Sequence, residues 1–255
     1  MSDITNCFKK MNIIFSLSLS DLNARYKNSI LGPLWISLGT GIFIFGIAFL
    51  WGELFNKDRN SFVPSVTVGM IMWYFISSCI NESTSIFSDK SQIIKNLRLP
   101  LSMFPFQVVI RQAINFFHNF SIFIIVFFIY DLNLGKNFFY FFPMMFLVII
   151  NMLWISLLFS ILGARFNDFR FVVSSILPLI FFMTPVLYNS SDLVIFHSLL
   201  WFNPFTHFIE IVRAPLTDSF LNLNSVMFCI VLLIFGWIFT IYVFNNTKHR
   251  IIFWI

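Results

Sequence analysis

Six apolar runs, at 34–55, 62–87, 106–130, 138–163, 171–188 and 223–244, occupy most of the chain, and polar residues collect in the short segments between them. A helix needs about 20 apolar residues to cross a hydrocarbon core of about 30 Å. Each run is near or above that length, with the fifth at the short end. The pattern predicts an all-α integral membrane protein with six transmembrane helices. Ahead of the first run, Ile4, Phe8, Met11, Phe15, Leu19 and Leu22 recur at spacings of three and four, with Lys9, Lys10, Asn12, Ser16 and Asp21 between them. That stripe predicts an amphipathic helix over 1–30, lying in the membrane interface before span one. It lacks the continuous apolar block and small-residue cleavage site of a signal peptide.

Charge fixes the expected orientation. Lys9, Lys10, Arg25 and Lys27, then Lys90, Lys95 and Arg98, then Arg165 and Arg170, and finally Lys248 and Arg250 fall on one side of a six-span thread. Only Lys57, Arg59, Lys136 and Arg213 fall on the other. The positive-inside rule then puts both termini and the tail 245–255 in the cytoplasm. With 58% hydrophobic and 11% charged residues, against about 25% charged in soluble domains, a water-soluble fold has nowhere to place its apolar surface. The net charge of +5 follows from this topology, and no nucleic-acid-binding motif accompanies it. Cys79 and Cys229 fall inside spans and Cys7 on the cytoplasmic side, so no disulfide framework is indicated. No internal repeat or linker divides the chain, which reads as one membrane domain over 1–255 with its spans at 34–244.

Several polar positions carry candidate chemistry. Gln107, Arg111, Asn115 and His118 or Asn119 lie on one face of span three. A central Arg costs ~2.5–3.5 kcal/mol on insertion scales, so such groups face a protein interior or a wet cavity. One reading makes them the wall of a pathway or a buried network, with Glu82 as counter-ion to Arg111. The other lets the start of the helix project into water. Between spans five and six, 193–202 and 205–216 are too short to cross a bilayer and too apolar for a solvated loop, which predicts re-entrant or interfacial helices within 189–221. There His207, Glu210 and Arg213 share a helical face, where Glu210 and Arg213 can pair. A metal site is disfavoured by the lack of matching ligands. Phe fills 38 of 255 positions, most of them readable as lipid-facing bulk. Trp35, Tyr74, Tyr188 and Trp201 are better candidates for a pathway wall, where rings present a polarised face.

The string Arg25-Tyr26-Lys27-Asn28-Ser29-Ile30-Leu31-Gly32-Pro33-Leu34-Trp35 closely resembles the lead-in to span one of ABC-2-type polysaccharide export permeases. Further similar segments follow in order. Ile93 through Pro100 resembles a cytoplasmic coupling segment, and Ala164-Arg165-Phe166-Asn167-Asp168-Phe169 a second cytoplasmic turn, with Asn167 where the family usually has Arg. Thr184-Pro185-Val186-Leu187-Tyr188 ends span five. Asn203-Pro204-Phe205 with His207, Glu210 and Arg213 looks most like the lipopolysaccharide O-antigen exporters.

The resemblance implies a permease subunit in the bacterial inner membrane. It implies two copies of this chain with two ABC ATPase subunits, exporting a glycan on a lipid, expected to be polyprenyl, carrier. Lys95, Arg98, Arg165 and Asp168 would then couple to the ATPase. Arg25, Tyr26, Lys27 and Trp35 would form the lead-in. Tyr74, Arg111, Tyr188, Trp201, Asn203, Pro204, His207, Glu210 and Arg213 would line the path or its extracytoplasmic gate. No phosphate-binding loop is present in the sequence. The cofactor expectation is therefore none on this chain, with ATP and Mg held by the partner ATPase. Capsule or another surface polymer, or a small amphiphilic molecule, are alternative cargoes. A membrane glycosyl- or acyltransferase is more remote, because His118, His197, His207 and His249 are dispersed and Asp89 and Asp168 have no convergent acid/base partners.

Overall fold

The computed structural model describes residues 2–25, 29, 34–54, 58–97, 99–132, 135–188 and 201–255. Those residues are nearly all helical and contain no strand. In chain order they form α1 (Ser2–Lys9), α2 (Met11–Arg25), α3 (Leu34–Leu54), α4 (Arg59–Asp89), α5 (Ser91–Asn96), α6 (Met103–Ile129), a 3-10 turn (Lys136–Tyr140), α7 (Phe141–Arg165), α8 (Phe169–Met183), α9 (Pro204–Leu216) and α10 (Leu223–Trp254). Four of these stretches are long and apolar enough to cross a membrane: Arg59–Asp89, Met103–Ile129, Lys136–Arg165 and Leu223–Trp254. The apolar helices Ser37–Glu53 and Phe169–Met183 are shorter.

α4 is the centre of the packing, meeting α3, α6, α7, α8 and α9. Its most apolar stretch is 83% buried inside the protein, against 17% for α10, which packs on α7 and α9, touches α5 and turns most of its surface outward. Small residues set the closest crossings, as expected where helices associate by van der Waals contact. A β-carbon at Gly163 of α7 would fall on the Thr84 carbonyl of α4, and one at Gly69 of α4 would sit 2.6 Å from the Val186 carbonyl oxygen.

The N-terminal stripe divides in two. Ile4, Cys7, Ile14, Ser18 and Leu22 face the protein, with Ser18 donating to the Gln107 carbonyl of α6 at 3.2 Å, whereas Phe8, Met11, Phe15 and Leu19 of the expected stripe are exposed. α1 and α2 therefore carry two apolar faces, one docked on α6 and one outward. The helix breaks at Lys10.

The fifth apolar run also differs from its expected extent, because α8 stops at Met183 rather than continuing to 188. Thr184 precedes a proline and is extended, at φ −105 and ψ 137, as steric clash with the Pro ring demands. The sixth run continues helically to Trp254, so all of the expected tail 245–255 except Ile255 is part of α10. At about 1.5 Å per residue this helix is about 48 Å long, more than a hydrocarbon core, and its end reaches the turns beside α5 and α7.

Candidate functional site

At the cation-rich end, three elements meet on one guanidinium. Arg111 of α6 donates from Nη1 to Asp21 Oδ2 of α2 at 2.7 Å and from Nη2 to Glu82 Oε2 of α4 at 2.6 Å. Lys90 Nζ lies 3.3 Å from Asp21, and Gln107 Nε2 donates to the same carboxylate at 2.9 Å. Glu82 is thus a counter-ion of Arg111, as its place in the second apolar run suggested. Gln107, Asn115 and Asn119 are buried, so the polar face of α6 points into the protein rather than into water. The face continues into a cavity of about 150 Å³ bordered by Thr40 of α3, Tyr74, Ser78 and Glu82 of α4, and Asn115 of α6.

Asp3 adds a second clasp. Its carboxylate accepts from the Leu101 and Ser102 amides at 3.1 Å each and from the Ser102 hydroxyl at 2.6 Å, satisfying backbone donors at the start of α6. Beside it, Cys7 is fully buried and its thiol is pushed up to about 11, mainly by burial, with Ser102 opposing and Asp3 reinforcing the shift.

The expected coupling residues converge only in part. Lys95 Nζ donates to the Ile255 backbone oxygen, and the Arg165 guanidinium lies 5.3 Å from the Phe166 ring and 5.4 Å from the Trp254 ring. The end of α10 therefore joins the α5 helix and the end of α7. Asp168 is exposed and precedes α8 without capping it through its side chain. Arg98, Tyr26 and Lys27 lie outside the described residues, as does 189–200 of the expected gate; Arg25 is the last residue of α2.

Between α3, α4 and α8 an open groove of about 290 Å³ is lined by aromatic rings and small polar groups, among them Phe43, Trp73, Tyr74, Ser77, Asn81 and Phe181. Trp73 packs against Phe181 at 5.5 Å and Phe205 at 6.1 Å, tying α4 to α8 and α9. Of the four aromatic candidates only Tyr74 borders this groove. Trp35 is exposed at the start of α3, and Tyr188 and Trp201 lie at the other end of the bundle.

At that end the Thr184-Pro185 and Asn203-Pro204 motifs are two sides of one junction. Asn203 caps α9, its Oδ1 accepting from the Phe205 amide at 3.0 Å, with Pro204 in the first turn where its missing N–H costs nothing. The same side chain donates from Nδ2 to Thr184 Oγ1 at 2.8 Å, and buried Arg213 donates from Nη1 to the Pro185 carbonyl at 2.8 Å. These two side chains thus bind backbone groups on both sides of the junction. His207 stacks on Phe228 with ring centroids 4.2 Å apart. Its Nε2 faces the Trp201 carbonyl at 3.0 Å and so carries the hydrogen, while Nδ1 lies 3.0 Å from Ser225 Oγ. Ser225 in turn donates to Glu210 Oε2 at 3.1 Å. Among the described residues no group of His, Cys, Asp and Glu is arranged to hold a metal ion.

Sequence reasoning missed Asp21, Asp3 and Ser225. The signal for Asp21 was available: it is an acid on a helix with apolar residues at Leu19 and Leu22, in a chain with 11 acids in all. Ser225 carried none, because a serine at the start of an apolar run reads as a boundary residue.

Known proteins are similar to this chain in sequence over most of its length. An O-antigen export system permease protein RfbA of Klebsiella pneumoniae is 26% identical over 245 residues, covering 94% of this chain and 93% of the relative. A second from the same organism is 25% identical over the same coverage, and one from Myxococcus xanthus is 25% identical over 191 residues, 74% of this chain and 73% of the relative. The family model described as ABC-2 type transporter matches residues 13–217, from the docked N-terminal helix to the end of α9. This chain is a multi-pass membrane protein that belongs to the ABC-2 type transporter family.

Proposed function

We propose that this chain is the permease subunit of an ATP-driven exporter of O-antigen glycan across the bacterial inner membrane. The observation that carries the reading is the collinear similarity to O-antigen export permeases over 94% of the chain. In this reading the apolar runs make six spans with both termini cytoplasmic, and two copies assemble with two ATPases that hold ATP and Mg. The groove between α3, α4 and α8 supports it. Aromatic rings such as Trp73 and Phe181 offer flat surfaces to the C–H faces of sugars, and Ser77 and Asn81 exchange hydrogen bonds with hydroxyls without holding any one ring tightly. Lys95, Arg165 and Asp168 stand on the turns that would meet the ATPase. The glycan would enter on its lipid carrier beside α1 and α2 and leave past the α9 junction.

Deleting the gene from the producing strain is the direct test. Surface glycan should disappear, lipid-linked glycan should accumulate on the cytoplasmic face, and both should revert when the chain is restored. Normal surface glycan without the chain would reject glycan export and turn attention to a small amphiphilic cargo.

A further inference from the structure

The end of the molecule that is poor in cations holds a cavity of about 460 Å³, separate from the groove between α3, α4 and α8. Three connections build it: the start of α4 after Asp58, Leu132 after α6, and the α9–α10 turn. Its inner wall carries buried Ser65, Arg213 and Ser225 with partly buried Glu210, and its outer wall carries exposed Asn60 and Ser61. Phe220, 97% exposed, stands at the mouth.

The turn presenting Phe220 is pre-formed. Thr217 donates to the Arg213 carbonyl at 3.1 Å, the Ser219 amide to the Ala214 carbonyl at 3.0 Å, and Asp218 adopts φ 50. Asp218 also presses on the neighbouring loop, where a β-carbon at Gly135 would sit 2.5 Å from its Oδ1. The ring therefore rests on a braced turn.

The lining selects a ligand class. Glu210 and Arg213 are the charged groups among the lining residues and their charges are opposite, so the lining itself carries no net charge for a phosphate or an ammonium group to answer. Hydroxyl and amide groups supply both donors and acceptors. A flat apolar ring at the rim complements the C–H face of a pyranose. The volume is in the range of small-molecule sites. We propose that this cavity is an extracytoplasmic saccharide subsite that takes a neutral sugar residue of the exported chain. The assignment of the occupant rests on the exporter reading.

The test uses the full chain with its ATPase in lipid nanodiscs. The probe is the repeat-unit oligosaccharide released by mild acid from the producing strain's own surface glycan, with binding followed by calorimetry. Saturable binding is expected. Phe220→Trp should retain it, while Phe220→Leu, which keeps the apolar area and loses the flat face, should weaken it by up to about tenfold. Ser65→Leu, which fills the inner wall, should abolish it. Phe220 is exposed, so its variants test binding without disturbing the core. Absence of binding by the wild-type complex, or equal binding by Phe220→Leu and Ser65→Leu, overturns the subsite while leaving export to be judged by the gene deletion. Normal surface glycan in the deletion strain removes the exporter reading and the assigned occupant together, even where a sugar binds.

Discussion

Arg111 decides how the N-terminal helices are held. One guanidinium serves Asp21 on α2 and Glu82 on α4, so removing it leaves two carboxylates in a mostly enclosed site with Lys90, on the Asp21 side, as their one remaining cation. Arg111→Met should destabilise the protein by on the order of 3 kcal/mol, read as a lower denaturation temperature in detergent. Asp21→Asn should cost less, since Arg111 keeps Glu82 and only the more exposed Lys90 loses its carboxylate. Equal stability of Arg111→Met and wild type would show that the pairing contributes nothing to the fold. Cys7 reports the same docking chemically. A thiol pushed up to about 11 holds little thiolate at neutral pH, so maleimide labelling of folded protein should be slow at pH 7 and quicken as pH rises. Because the folded value exceeds the usual 9.0, burial of the neutral thiol favours docking below pH 9 and that contribution is lost as pH rises to about 11. Asp3→Ala should expose the thiol and speed labelling at pH 7; an unchanged rate would separate Cys7 burial from the Asp3 clasp.

Between helices, crossing distance is set by what lacks a side chain. Gly163 lets α7 lie against the Thr84 backbone of α4, so Gly163→Leu must push apart two central helices. Overpacking of this kind costs about 1–3 kcal/mol or more, and the expected result is loss of folded protein from the membrane fraction. Good yield and stability of Gly163→Leu would contradict the close crossing. Helix existence was readable from sequence, because an apolar run of membrane-spanning length has few alternatives in lipid. The Arg111–Glu82 pair was readable for a related reason, since a charge in an apolar run demands a partner. The early stop of α8 was also legible in Thr184-Pro185 by the steric rule, yet the apolar residues through Tyr188 masked it. The second face of α2 was not legible: Ile14 and Phe15 are both apolar, and periodicity alone cannot say which packs on protein and which faces outward. The joining of Asn203 to Thr184 and of Arg213 to Pro185 depends on α9 folding back on the end of α8, which no local pattern encodes.

For the whole molecule, the proposed topology makes a labelling map. Single cysteines at Gln92, Asn167 and Asn246 should react with an impermeant reagent only from the cytoplasmic side, and those at Asn60 and Asn137 only from outside. Reaction of a cysteine at Gln92 from outside would overturn six spans. The map also bears on the sugar-binding cavity, because Asn60 borders it: bound oligosaccharide should slow labelling at Asn60 and leave Asn137 unaffected.

The enclosure of α4 has a consequence for biogenesis. Of the four long apolar helices it has the lowest mean hydropathy, 1.5 against 1.7, 2.5 and 2.7, and yet it ends up the most enclosed. A ribosome delivers it before α6, α7, α8 and α9 exist to cover it. Its hydroxyls bridge that interval by bonding within the helix, Thr67 to the Val63 carbonyl, Ser83 to Cys79 and Thr84 to Asn81. A nascent chain halted between residues 89 and 165 would thus hold its future hub against lipid or the insertion machinery, the stage at which membrane quality control has the most to recognise.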